Sequence, residues 1–100
     1  MPQVNFNQNH AMAMLLSIVA DRFALPGRAI VVWPGIPHEG DWRVKIGDTL
    51  TLKRPDGTTE ETVVTGIEMP SSSPQNFTPI LLGPGLTNEA VPVGTEIWID

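Results

Sequence analysis

Asp48-Thr-Leu-Thr-Leu-Lys53, Arg54-Pro-Asp-Gly57 and Thr58-Thr-Glu-Glu-Thr-Val-Val-Thr-Gly-Ile-Glu-Met69 read together as a β-hairpin. Polar and apolar residues alternate from Asp48 to Lys53, so Leu50 and Leu52 share one face, the period-2 mark of a half-buried strand. Pro55 presets its φ for a turn position and Gly57 accepts a positive φ, so the chain reverses over 54–57. Thr58 to Met69 returns as the partner strand, with Val63, Ile67 and Met69 on one face and Gly66 marking a bulge. Glu60 and Glu61 are neighbours on that strand, so they point to opposite faces and do not share a proton.

The flanking segments carry the same period. Ala29-Ile-Val-Val-Trp33 is β-branched and aromatic, bounded by Gly27 and by Pro34-Gly35, and Ile36 to Gly40 reads as a turn-rich connection. Pro70 to Gln75 has the composition of a loop, Pro79-Ile-Leu-Leu82 that of a short buried strand stopped by Gly83-Pro84-Gly85, and Val93 to Ile99 that of a closing strand. Ala11 to Ala20 is locally undecided: Ala, Met and Leu favour helix, whereas Ser17-Ile18-Val19 favours strand. Short strands separated by turn signals predict an all-β barrel or sandwich. Residues 1–10 are rich in Asn and Gln without hydrophobic periodicity and read as a flexible polar tail, leaving 11–100 as the folded domain.

The totals agree with one small domain. The chain has 100 residues with 41% hydrophobic, 10 Pro and 9 Gly, enough to bury roughly two-thirds of its unfolded surface. With no Cys there is no disulfide framework and no thiolate site. The net charge of −5 argues against a phosphate-backbone binder, DNA included. No apolar run approaches the roughly 20 residues of a membrane span, and no Lys or Arg precedes Ala11 to make a signal peptide. Charge is unevenly placed. Residues 1–54 hold six basic and four acidic side chains, whereas residues 55–100 hold seven acidic and no basic ones. Such a half repels nucleic acid and selects a basic protein partner, if the fold gathers it on one surface.

Catalytic signatures are missing. There is no Gly-x4-Gly-Lys-Ser/Thr phosphate loop, and Lys45 and Lys53 do not follow a Gly. His38-Glu39-Gly40-Asp41 lacks the second His of the helical zinc motif and reads as a solvated turn. Ser71 to Ser73 sits between prolines with no Gly-x-Ser-x-Gly elbow. The expectation is a non-enzyme without metal or cofactor. Trp33, Trp42 and Trp98 discriminate further: two exposed together mark a contact surface, and all buried mark core.

Asp21-Arg-Phe-Ala-Leu-Pro-Gly-Arg28 followed by Ala29-Ile-Val-Val resembles the start of the second domain of elongation factor Tu and related translational GTPases, with its Asp-x-Phe-x-Ile-Pro-Gly-Arg-Gly-Thr-Val-Val pattern. Val44-Lys-Ile-Gly-Asp48 is similar to that family's Val-Gly-Asp segment, and Val64-Thr-Gly-Ile-Glu-Met69 to its strand of the same letters. Leu81-Leu82, Gly85-Leu86 and Val91-x-x-Gly94 follow in the same order, so the resemblance spans about residues 15–99. It implies a small closed six-stranded antiparallel β-barrel, a strand before Asp21, a cytoplasmic setting, and no GTPase domain in this chain. It also implies that Asp21, Phe23, Arg28 and Glu68 border a pocket. In the family Asp21, Phe23 and Glu68 stand at the site for the tRNA 3′ end, and Glu68 matches a carboxylate facing the terminal ribose.

The departures shift the expected partner. Ala20 replaces an acid of the pocket, Pro70 and Ser71 stand in place of an aromatic or His and a basic residue, and Phe77 replaces an Asn. Around Gly83-Pro84 an Arg is missing and one residue is inserted. Without those groups little remains to grip a charged tRNA end. The expected function is therefore a non-catalytic binding module acting through protein contacts, with RNA or aminoacyl-tRNA 3′-end binding as the alternative. A homodimer through the apolar Ala11–Val19 edge is a further expectation.

Overall fold

The structure is a computed structural model that describes residues 13–68 and 76–100. The polar tail expected over 1–10, the loop over 70–75 and the place of Met69 lie outside the described residues. Seven strands run in chain order: β1 (Met14–Ile18), β2 (Asp21–Leu25), β3 (Ala29–Pro37), β4 (Thr49–Lys53), β5 (Thr59–Ile67), β6 (Phe77–Gly83) and β7 (Glu96–Ile99). One 3-10 turn, Asn88–Ala90, precedes β7, and no α-helix occurs among the described residues. The strands form one antiparallel sheet in the order β1-β7-β4-β5-β6-β3-β2. The fold is all-β and barrel-like.

The closed six-stranded barrel is corrected by this order. The segment before Asp21 is a strand, as the resemblance implies, but the chain is interrupted after Ile18. At Val19 and Ala20 the backbone changes partner, the Val19 amide donating to Thr95 O at 2.8 Å and the Ala20 amide to Trp33 O at 2.8 Å. β1 therefore pairs with β7 and β2 with β3, so the two edges of the sheet are joined by chain and not by a ladder.

β2 shows how an edge is protected. The Ala24 amide donates to Asn88 Oδ1 at 3.1 Å and the Arg22 amide to Asp21 Oδ1 at 2.8 Å. Donors that would otherwise template another strand are thereby occupied.

The expected hairpin is β4–β5, in register from Thr49↔Val63 to Lys53↔Thr59. Gly57 takes φ 92° and its amide donates to Arg54 O at 2.9 Å. The common face expected for Val63 and Ile67 is corrected: Val64 is buried, and Val63, opposite Thr49, faces outward. The register shift between Val64 and Gly66 is the reason, because the extra residue Thr65 moves Ile67 to the inner face, opposite Ile80. Asp56 Oδ1 accepts from the Thr58 amide at 2.9 Å and from Thr58 Oγ1 at 2.6 Å, and these bonds hold its carboxyl below the ordinary 3.8. A lowered folded value contributes stability above the unfolded pKa, lost as pH falls through the folded value. Urea midpoints of wild type and Asp56→Asn are therefore expected to differ near pH 6, wild type being the more stable, and to converge only as the pH falls below 3.8 and through the lowered folded value.

β3 runs on past Trp33 to Pro37, correcting the stop expected at Pro34-Gly35. Gly35 adopts φ 86° and lies against the backbone of β6, where a Cβ would meet Thr78 O at 2.1 Å. The pairing with β6 shifts here and resumes at Ile36↔Thr78. β6 and β7 also depart from the reading, β6 beginning at Phe77 and β7 only at Glu96.

The core gathers Leu16, Val19, Ile30, Val32, Leu50, Leu52, Val64, Ile80, Leu82, Val91 and Ile97. Each such side chain contributes about 1.5–3 kcal/mol on leaving water. Trp42 packs against this core, so it belongs to packing and not to a contact surface. One end is closed by the Asn88–Val91 segment, held by Arg22 of β2 and by Arg54, just past the end of β4. Arg22 Nε donates to Val91 O at 2.8 Å, and Arg54 Nε donates to Ala90 O at 2.7 Å. Arg54 also pairs with Glu60.

Candidate functional site

Alternation on β2 sorts its residues by face. Arg22 and Ala24 stand opposite the fully buried Val32 and Ile30, so they turn inward. Asp21 and Phe23 consequently share the outer face with Trp33 and Val31, their partners on β3. Phe23 is 59% exposed, unusual for a side chain of its size in so small a domain.

The same face continues over β6 and β5. Val31 is opposite Leu81, and Leu81 is opposite Gly66, which has no side chain to cover it. The row Phe23–Val31–Leu81–Gly66 thus spans four strands, or about 14 Å at about 4.8 Å per strand. Next to it, Trp33 meets Phe77 edge to face with ring centroids 5.4 Å apart. Trp33 remains 37% exposed. Glu68 follows Gly66 by two residues and its amide donates to Pro79 O at 2.9 Å, which keeps it beside β6 at the end of this surface.

Three of the four residues expected to border a pocket therefore share one face, with Asp21 and Phe23 on one side and Glu68 on the other. They do not close into a pocket, because two strands separate them. Arg28 is not part of the group. It lies in the Pro26–Arg28 turn at the far end of the β2–β3 hairpin, its amide donating to Leu25 O at 2.9 Å. There it borders a cavity of about 290 Å³ between that turn and Gly85–Thr87. What the sequence does not disclose is the Trp33–Phe77 contact at the centre of the face. Phe77 counted only as a lost Asn, and the contact joins residues on either side of the register shift between Val32 and Ile36.

Another groove, of about 430 Å³, lies on the outer face of β4, β5 and β7 among Thr51, Lys53, Thr59, Glu61 and Trp98. Trp98 also stands on an outer face, opposite Thr51, but it is half-buried and its Nε1 donates to Glu96 Oε1 at 2.9 Å, so Trp33 is the most exposed of the three tryptophans. His38 and Asp41 do not converge: His38 Nε2 lies 2.7 Å from Thr78 Oγ1, and Asp41 pairs with Arg43. Among the described residues no three His, Asp or Glu side chains come together as a metal set, and no helix is long and apolar enough to cross a membrane.

No family model, curated protein or solved structure matches this chain.

Proposed function

We propose that this chain is a non-catalytic binding module that acts through protein contacts on the outer face of β2, β3 and β6. The observation that carries the reading is the joint exposure of Phe23 and Trp33, with Phe77 against Trp33, on a face that also holds Asp21 and Glu68. Large aromatic side chains left in water cost stability and repay it when a partner covers them. The resemblance to the second domain of elongation factor Tu adds a translation-related, cytoplasmic setting. In that light β1 and β2 together stand for one bent strand of the translation-factor barrel, Val19 and Ala20 marking the bend. The paired change of sheet partner at those two residues supports this.

The alternative, RNA or aminoacyl-tRNA 3′-end binding, is favoured by the exposed ring of Phe23, since bases stack on such platforms. It is weakened by the lack of any Lys or Arg after position 54. Affinity purification with wild type and with a folded Phe23→Ser/Trp33→Ser variant separates the two. At least one protein retained by wild type at moderate salt is expected to be lost with the variant by more than about tenfold, a hot-spot-sized effect. Identical protein sets for both forms contradict the reading, and a shift of tRNA at low salt that needs Phe23 replaces it with the alternative.

A further inference from the structure

The face that the proposed docking rests on has a charge pattern of its own, and it narrows the partner's chemistry. Asp21 is directly opposite Trp33 in the β2–β3 ladder, which puts their Cβ atoms about 5 Å apart on the same side. Phe23 is the diagonal neighbour of Trp33, within reach of the same bound group. On the other flank the Glu68 amide is tied to Pro79 O of β6, two residues along that strand from the Phe77 that abuts Trp33. The aromatic pair thus has Asp21 beside it on β2 and the exposed Glu68 on the β5 side of β6.

No cation answers them from within the described residues. Arg22, the nearest in sequence, is turned inward and donates to Val91 O and Asn88 O. Arg28 sits beyond the far end of β2, more than about 13 Å from Asp21 at about 3.3 Å per residue. Residues 69–75, which connect Glu68 to β6, carry no charge in the sequence. Exposed aromatic faces beside uncompensated carboxylates attract a cation twice, through the ring quadrupole and through the opposite charge. Arginine suits this arrangement better than lysine, because a planar guanidinium stacks on an indole while its edge donates to a carboxylate.

We infer that the docking face recognises an arginine-bearing segment of its protein partner, seating a guanidinium against Trp33 and Phe23 with Asp21 as its acceptor. The occupant is a peptide segment and not nucleic acid, whose phosphates Asp21 and Glu68 repel. The inference rests on the docking reading, and the test separates the two.

The probe is a capped Gly-Arg-Gly-Arg-Gly peptide titrated into the ¹⁵N-labelled full chain, alongside the same peptide with citrulline at both arginines and a single-stranded oligoadenylate. Citrulline keeps the planar shape and loses the charge. Saturable shifts are expected at the amides of residues 21–23 and 31–33 and at the Trp33 indole, with the citrulline peptide at least about fivefold weaker. Asp21→Asn is expected to weaken the arginine peptide about threefold or more while leaving the spectrum folded. Salt is expected to weaken it further. Equal binding of the arginine and citrulline peptides overturns the inference, as do shifts centred on Glu61 and Trp98 or tighter binding of oligoadenylate. If the arginine peptide fails while Phe23→Ser/Trp33→Ser still loses a protein partner, the docking face stands and only its arginine preference falls.

Discussion

Gly35→Ala is expected to destabilise the fold by about 4 kcal/mol or more, lowering the thermal midpoint by roughly 20 °C in a domain of this size. Two costs add at this position. Gly35 takes φ 86°, where an L side chain costs about 1–2 kcal/mol. The new Cβ would also fall 2.1 Å from Thr78 O and 2.8 Å from the Pro79 Cα. Both are backbone atoms, so relief requires β3 and β6 to separate, and enforced overpacking of that kind costs about 1–3 kcal/mol or more. Small domains hold about 5–15 kcal/mol in total, so a large share is lost. The site should suffer with it, since Gly35 lies between Trp33 and the resumed pairing of β3 with β6 at Ile36↔Thr78, beside Phe77. Gly57→Ala is the control. It has a similar φ of 92° but nothing within 4 Å, so it isolates the backbone cost. Equal losses for the two variants, read by thermal denaturation, would show that the close approach at Gly35 does not matter.

The second large effect is expected at the clamp on the Asn88–Val91 segment. Removing Arg54 deletes the bond to Ala90 O together with its contacts to Glu60 and Thr58, and removing Arg22 deletes those to Val91 O and Asn88 O. Hydrogen bonds from charged donors are worth about 1.5–3 kcal/mol, so Arg54→Met and Arg22→Met are each expected to cost about 2 kcal/mol. Methionine retains most of the apolar stem, so the loss reports on the guanidinium. The double variant should release the segment whose Val91 is in the core and whose Ala90, with the nearby Leu86, packs against it. The two positions act on adjacent carbonyls, so their effects are expected to couple and not simply to add. Amide hydrogen exchange checks this: the Val91 and Ala90 amides, bonded to Asn88 O and Thr87 O, should exchange faster while Leu52 and Ile80 stay protected. Uniform acceleration across the sheet would mean that the arginines serve global stability and not this end of the fold.

The parts of the fold that were readable in advance are those whose signals are local. Leu50 and Leu52 alternate with polar neighbours, and Pro55 and Gly57 specify their turn without help from elsewhere, so β4–β5 follows from the residues alone. Gly66 marks a bulge in the same way. Its consequence was not readable, because a single extra residue at Thr65 exchanges the two faces and leaves Val64 inside in place of Val63.

Pro34-Gly35 is the opposite case. Locally it is a stop, and only contact with the distant Thr78 makes it a kink within a continuing strand. The interruption at Val19–Ala20 likewise depends on partners at Thr95 and Trp33.

The site divides along the same line. Asp21 and Phe23 are two apart on a strand, so their common face follows from period 2 once β2 is recognised. Glu68 joins them only through the β3–β6 and β5–β6 ladders, and Arg28 is separated from them by the hairpin's length. Trp33 and Phe77 meet across a pairing that no local pattern encodes.

The docking claim is tested most directly by placing a photo-cross-linking residue at position 23, with the same residue at position 51 on the outer face of β4 as control. Irradiation in lysate is expected to join position 23 to a defined protein through an arginine-containing peptide, with little product from position 51. Equal yields from the two positions, or cross-links to RNA in place of protein, would contradict it.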